Sequence, residues 1–441
     1  MTLLQRLLRG WSLDVWMATL MILLTCSGVS ADDEFSFDVE EFEKKALQAG
    51  GYVEAKWEHI NRNEQGAISW LGLDDDPGNT LDRLGALLQL NGSYTREKLS
   101  LYWLLQGSET WQDDEWLDTV DAFEAYVTFK SSANGSGSLG KKSYKWGKGY
   151  AWNPVGFINR SKDPNNPDEA LEGYITAETE FIKSFSGNLQ NLALTTVLLP
   201  VTEDVNDDFG QANNMNLAAR LYLLYLDTDL DFILYTGNAR STRFGFDVSR
   251  NITPSFEVHG EYAFFPNFEK VYLGEEGNSY REKDSEHSLL LGIRHLTEFN
   301  LTSILEYYHN GTGYSDDELE EFYSLVSQGA IQYAQSGQDT LLQKAQKLGQ
   351  QGYTKPYLGR DYLYARFSLK EPWDILYFTP ALTTIYNLND QSYSITPEIL
   401  YTGLTNWEIR LRFSLLQGRS STEYGEKLNQ NKVELRVRYF F

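Results

Sequence analysis

Apolar residues recur at every second position in segment after segment of this chain, the period of a strand with two unlike faces. Leu84, Ala86, Leu88 and Leu90 form one such stripe, and Leu217, Ala219, Leu221 and Leu223 another. Phe256, Val258, Tyr262 and Phe264 form a third. Arg83, Gln89, Arg220, Arg243, Asp247, Glu257, His259 and Glu261 take alternate positions in these and neighbouring runs. About 18 segments of about 9 to 13 residues read this way, a length that crosses a bilayer when the strand is tilted. The expected fold is all-β: a transmembrane antiparallel β-barrel of about 18 strands, with 16 as the alternative.

The connections sort by length. Those at 60–81, 109–118, 149–171, 200–213, 266–284, 310–356 and 417–430 are long and follow odd strands. Those at 95–97, 184–188, 250–253, 297–298, 370–372 and 403–405 are short and follow even ones. Long outer loops and short periplasmic turns produce that order, with both chain ends in the periplasm. The connections near 238–240 and 387–390 are short where the order asks for long ones. A soluble sandwich or propeller also alternates, but has no reason to sort its loops in turn.

The opening of the chain reads as export. Arg6 and Arg9 precede a short apolar core at 16–25, and Val29, Ser30 and Ala31 form a small-x-small cleavage site, so 1–31 is a secretory signal. The lone cysteine, Cys26, falls inside it, which leaves no disulfide in the mature chain. A formal charge of −24 argues against nucleic acid and against a basic patch docking on anionic lipid. The 32–49 segment holds a short periplasmic helix at 38–48, with Asp38 as N-cap. The barrel then runs from 50 to 441, and its expected place is the bacterial outer membrane. Its expected partners are outer-membrane lipid and lipopolysaccharide, the barrel-assembly machinery, and a small hydrophilic solute or an exported polymer.

The loop at 310–356 carries helical signals. Ser315 and Glu318 form a capping box, and Leu319, Phe322, Tyr323, Val326 and Ala330 keep one stripe until Gly337. A second piece at 339–348 places Leu341, Leu342, Ala345 and Leu348 on one face. Such an extracellular insertion either folds into the pore or caps the barrel from outside.

Ten cations fall on the polar side of strand segments and are the expected pore-lining and selectivity residues: Arg83, Lys142, Arg220, Arg243, Arg294, Arg366, Arg410, Arg412, Arg436 and Arg438. A ladder of guanidiniums passes carboxylates or phosphates along an aqueous wall. Glu54, Glu58, Glu124, Glu178, Glu180, Glu257, Glu261, Glu408 and Glu434 share that face, so a structural salt-bridge lining is the competing reading. No catalytic constellation, cofactor motif or metal spacing stands out; His309 with Ser315 or Asp316 is the one faint hydrolase candidate.

The last segment sets Val433, Leu435, Val437, Tyr439 and Phe441 against Glu434, Arg436 and Arg438. The Tyr439 and Phe441 pattern resembles the membrane-insertion signal of bacterial outer-membrane barrels. A second resemblance lies at 121–167. Glu124, Ala125 and Tyr126, then Gly140, Lys141 and Lys142 leading to Trp146 and Gly147, resemble a strand pair of alginate-export-like outer-membrane porins. The following loop, from Trp152, Asn153 and Pro154 to Asn165, Asn166 and Pro167, is similar to that group's Asn-Pro loop. Lys141 and Lys142 stand where the group often carries Arg and Gln. The resemblance implies a channel, or an export conduit for a polymer or a pump's cargo; a non-conducting scaffold or adhesin is the third possibility. On this reading Lys142, Tyr144 and Trp146 line the lumen and Trp152 anchors the returning loop, while Trp146 and Tyr150 in an interfacial aromatic girdle is the alternative.

Overall fold

The computed structural model describes residues 46–72, 79–167 and 169–441. The signal segment 1–31, residues 38–45 of the expected leader helix and the acidic run Asp74, Asp75 and Asp76 lie outside the described residues. The chain divides at Gln48 into a leading unit and a barrel unit, Ala49–Phe441. Leu47 and Gln48, expected at the end of a helix, are instead the first residues of a strand. Gly50 and Gly51 are poor helix formers, and extended backbone runs back through them.

Eighteen strands form one sheet. The first six are β1 (Leu47–Arg62), β2 (Thr80–Arg96), β3 (Leu99–Gln112), β4 (Glu115–Lys130), β5 (Gly135–Lys142) and β6 (Tyr174–Ser184). Next come β7 (Leu189–Val201), β8 (Asn214–Tyr225), β9 (Thr228–Thr236), β10 (Arg243–Thr253), β11 (Phe256–Leu273) and β12 (Ser279–Leu296). The last six are β13 (Leu301–His309), β14 (Asp361–Leu369), β15 (Phe378–Asn387), β16 (Tyr393–Tyr401), β17 (Trp407–Gln417) and β18 (Asn429–Phe440). Each strand pairs with its neighbours in sequence, and β1 pairs antiparallel with β18 from Tyr52↔Phe440 to Arg62↔Asn429, which closes the barrel. Phe441 completes the seam by exchanging backbone hydrogen bonds with Gly51, both at 3.1 Å.

Closure leaves two faces. Leu84, Leu101, Val127, Leu194, Leu305 and Leu411 lie exposed on the outside, the face that an apolar solvent would cover. Tyr439 and Phe441 share this outer face with Val433, Leu435 and Val437. No helix among the described residues is long and apolar enough to cross a membrane.

Three expected connections change. Residues 109–118 and 266–284 are mostly strand, not loop. Asp113 and Asp114 both adopt positive φ, 49° and 62°, so a two-residue turn joins β3 to β4 with pairing up to Gln112↔Glu115. The β11–β12 pair extends to Leu273↔Ser279 beyond a register shift between Phe265 and Phe268, around Pro266, which has no N–H for the ladder. The strand expected at 139–148 is β5 and stops at Lys142. Gly140 sits at φ 131°, where a side chain would meet Ala125 O at 2.3 Å, and Glu124 then takes the Ser143 N–H at 2.9 Å and its hydroxyl at 2.6 Å. With that backbone group capped by a side chain, the ladder ends and the chain turns into the barrel.

The helical insertion forms as expected. Helix α1 (Asp316–Ser336) starts on the Ser315–Glu318 capping box and ends on Gly337 at φ 71°; α2 (Thr340–Leu348) follows. Asp316, Asp317 and Glu318 face the positive end of the α1 dipole. Leu319, Phe322, Val326, Leu342 and Leu348 pack with Ala67 and Leu71 of the first long connection and against Val271 and Leu273 of the β11 extension.

Candidate functional site: a partitioned lumen

The segment 143–173 folds inside the barrel and is held there by two wall carboxylates. Glu261 accepts from the backbone N–H groups of Lys148 and Gly149, both at 2.6 Å, from Val155 N at 3.3 Å and from the Asn153 amide at 2.9 Å. Glu306 accepts from Tyr150 N at 2.5 Å and Ala151 N at 2.9 Å and pairs with His259 Nε2 at 2.9 Å. Both carboxylates are 2 % exposed. A buried anion stays buried only with such a set of donors. Gly147, at φ 103°, makes the bend between Trp146 and the clamped residues; a side chain there would meet Asn153 at 2.6 Å.

Beyond the clamp, the segment builds an apolar core against one side of the wall. Tyr144, Trp146, Val155, Phe157 and Ile158 pack on Val197, Leu199, Val201, Ile233, Tyr235 and Phe265. Each such fully buried side chain contributes about 1.5–3 kcal/mol. Trp146 is therefore interior, at 3 % exposure, and not part of an interfacial girdle. Trp152 anchors the segment among tyrosines, stacked on Tyr308 at 5.1 Å and edge-on to Tyr357 at 5.5 Å.

The opposite side, made by β14 to β18 with β1 and β2, is charged. Six of the ten sequence-selected cations meet here: Arg83, Arg366, Arg410, Arg412, Arg436 and Arg438. Glu398 holds Arg366 at 3.1 Å and Arg412 at 2.5 Å. Glu434 holds Arg436 at 3.1 Å and Lys432 at 3.0 Å, and Lys432 also reaches Glu58 at 2.9 Å. Arg83 pairs with Glu58 at 3.2 Å, Arg410 with Glu408 at 3.2 Å, and Arg438 with Glu54. With Lys56, these ion pairs join eight cations of the wall to five of its carboxylates.

The other four stand elsewhere. Lys142 pairs with Glu178 at 2.7 Å and lies over the Tyr126 ring. Arg220 approaches Asp231 at 3.8 Å, and Arg294 approaches Glu257 at 3.9 Å. Arg243 lies over Phe265 at 5.3 Å and has no carboxylate partner among the described residues. His309 and Ser315 do not meet: His309 Nδ1 pairs with Asp361 at 2.8 Å, and the Ser315 hydroxyl caps α1.

The tip of the inward segment spans the gap. Glu169 meets Arg436 at 2.8 Å and Arg438 at 3.7 Å, and the Asn166 carboxamide accepts from Arg410 at 3.1 Å. A cavity of about 210 Å³ remains between Asp163 and Asn165 of the segment and Arg83, Arg412 and Lys432 of the wall. A larger one, about 770 Å³, lies between residues 151–163 and the 310–314 and 351–358 stretches of the helical insertion. The insertion's helices pack on the projecting loops, and its returning stretch lines the lumen.

The sequence marks Glu261 only as part of a salt-bridge lining and not as a clamp on backbone N–H groups, and it does not single out the clamp Glu306, the bridging Glu169 or the acceptor Glu398. An isolated glutamate on a lumen face carries no mark of whether it meets an arginine or a backbone N–H. The Asn-Pro composition of 153–167 was the signal that this loop is structured.

Comparison with solved structures agrees with this architecture. The chain superposes on the outer membrane protein OprD from Pseudomonas aeruginosa with a TM-score of 0.53 at 10% identity, covering 90% of this chain and 96% of that one. For Pseudomonas aeruginosa OccK11 (OpdR) the TM-score is 0.51 at 11% identity, over 89% and 96%. No family model matches the chain, and no curated protein matches it in sequence. At these identities the likeness is one of fold: a closed 18-strand antiparallel barrel of the porin kind.

Proposed function

We propose that the chain is an outer-membrane channel of the porin type that passes hydrophilic solutes with a preference for anions. The reading places the long-loop rim outside and the short-turn rim in the periplasm, with Tyr439 and Phe441 as the insertion signal read by the assembly machinery. One observation carries the anion preference: the excess of cations over carboxylates on the wall that faces the inward segment. Buried members such as Arg412, 4 % exposed, stiffen the wall, whereas Arg438, 14 % exposed at its side chain, keeps access to the gap. A guanidinium that shares its carboxylate with a neighbour can exchange that partner for a passing anion.

A second reading, an export conduit for a polymer, draws support from the 121–167 motif, because that stretch contains much of the segment that folds into the lumen. Purified protein in planar bilayers tests both. Stepwise conductance is expected, and a membrane that holds folded barrel without steps would sink either channel reading in favour of a scaffold.

A further inference from the structure

Three cations converge where the apolar side of the lumen meets the larger cavity, none of them in a salt bridge with a carboxylate among the described residues; the nearest counter-charge, Asp208, acts on Arg240 alone and is already paired with Arg160. Arg240, in the β9–β10 connection, is fixed by its Nε on the Phe209 carbonyl and by Nη1 on the Phe157 carbonyl at 3.4 Å, its guanidinium 3.8 Å from the Phe209 ring. Arg243 follows on the lumen side of β10, over the rings of Phe265 at 5.3 Å and Tyr235 at 5.9 Å. Its Nε is buried without a hydrogen-bond partner. Phe265 packs edge-on against Phe268 at 6.0 Å, and Phe268 lines the cavity together with Lys355. Lys355 therefore opens on that cavity, and the Phe265–Phe268 pair connects Arg243 to its edge.

None of the three has a carboxylate partner among the described residues. The other cations lining the cavity do better. Arg160 holds Asp208 and Glu172, and Lys270 holds Glu318 at 2.9 Å and the Gly313 carbonyl at 2.8 Å. Burial, then the Arg240 and Arg243 guanidiniums, hold the Lys355 ammonium below the usual lysine range, so it feels both neighbours as charges. Like charges gathered out of water without a counter-ion are costly, and here rings and carbonyls hold the arginines in place.

We infer that Arg240, Arg243 and Lys355 form a binding site for an oxyanion carrying two or more negative charges, such as phosphate, a phosphate monoester or a polycarboxylate. Two guanidinium forks match the paired oxygens of such a group, and the ammonium supplies a third, compact charge. Arg243 points into the lumen, so the ligand comes with the solute and not from the lipid. The site lies apart from the charged wall and does not depend on whether that wall conducts.

Titration calorimetry of the detergent-purified full chain with inorganic phosphate at neutral pH tests it. Saturable 1:1 binding is expected, citrate should compete, and acetate should not. Arg243→Gln and Lys355→Gln should each weaken phosphate at least about tenfold, Lys355→Arg should restore most of it, and Arg294→Gln should leave it unchanged. Lys355 lies on a loop, so its variants keep the test sound should Arg243→Gln fail to fold. Absence of saturable binding to the unmodified protein, or affinity unaltered by Lys355→Gln in a folded barrel, would overturn the site. Because calorimetry reads no current, either outcome stands apart from the conduction experiment.

Discussion

The carboxylate of Glu169 meets the guanidinium of Arg436 at 2.8 Å, joining the inward segment to the charged wall. The segment is anchored by Glu261 and Glu306 on the far side, so this contact divides the lumen. Glu169 is 43 % exposed at its side chain, which limits the pair to about 1 kcal/mol. Glu169→Gln should shift the docked-to-free balance of the tip roughly fivefold, given that 1 kcal/mol is about that factor. Single-channel recordings should show larger conductance and stronger anion preference than the unmodified protein, and unchanged traces would remove Glu169 from the constriction.

Glu261 should matter more. Replacing it with Ala strands the backbone N–H groups of Lys148, Gly149 and Val155, each costing about 1–3 kcal/mol where water cannot reach, and leaves the Asn153 amide only the Gly149 carbonyl. Glu261→Ala is expected to free the inward segment while the barrel stays closed. Limited proteolysis should then cut within 150–170 in a protein that still migrates as a folded barrel before heating.

Lys148 carries a comparable load. Its ammonium lies 2.9 Å from Asp231 and 3.8 Å from Asp247, two directly opposed carboxylates on β9 and β10 that are 1 % and 0 % exposed. Burial opposes the charged lysine, but the two aspartates outweigh it and hold its pKa above the usual range. Lys148→Met should destabilise the protein by about 3–5 kcal/mol, as loss of one partner from a buried pair does. Asp247→Asn should cost far less, since neither Asp247 oxygen has a hydrogen-bond partner. Urea midpoints of the two variants in vesicles should fall in that order.

Oxyanion affinity at the Arg240, Arg243 and Lys355 site should depend on pH with a definite sign. The Lys355 pKa is lowered, so the ammonium is present at neutral pH and lost as pH rises, sooner than for a free lysine. Phosphate affinity should therefore fall as pH climbs toward the lowered pKa, and Lys355→Arg should flatten the profile. A profile equally steep in Lys355→Arg would assign the titration to another group.

The barrel was legible because its outer face obeys one rule: most strands set an apolar stripe on their outward positions, and Leu217, Ala219, Leu221 and Leu223 could be read without any partner. Capping is also local, so Ser315 and Glu318 marked α1 to the residue. The lumen obeys no such rule. Val197, Leu199 and Val201 are apolar on the inside, so β7 reads as apolar on both faces and gives no hint that a returning loop fills that side. Arg243 and Arg436 look alike in sequence, yet one has no carboxylate partner among the described residues and the other meets Glu434 and Glu169. The 109–118 and 266–284 connections were misread because polar strands that project beyond the apolar band resemble loops.

The central claim is that solutes pass between the inward segment and a wall with excess positive charge, and reversal potential tests it most directly. It should be measured across a potassium chloride gradient kept near 0.1 M, where charges within about 10 Å still act. The account expects chloride preference in the unmodified protein and a shift toward zero in the Arg410→Gln, Arg438→Gln double variant. Cation preference, or a reversal potential that the double variant leaves in place, would contradict it.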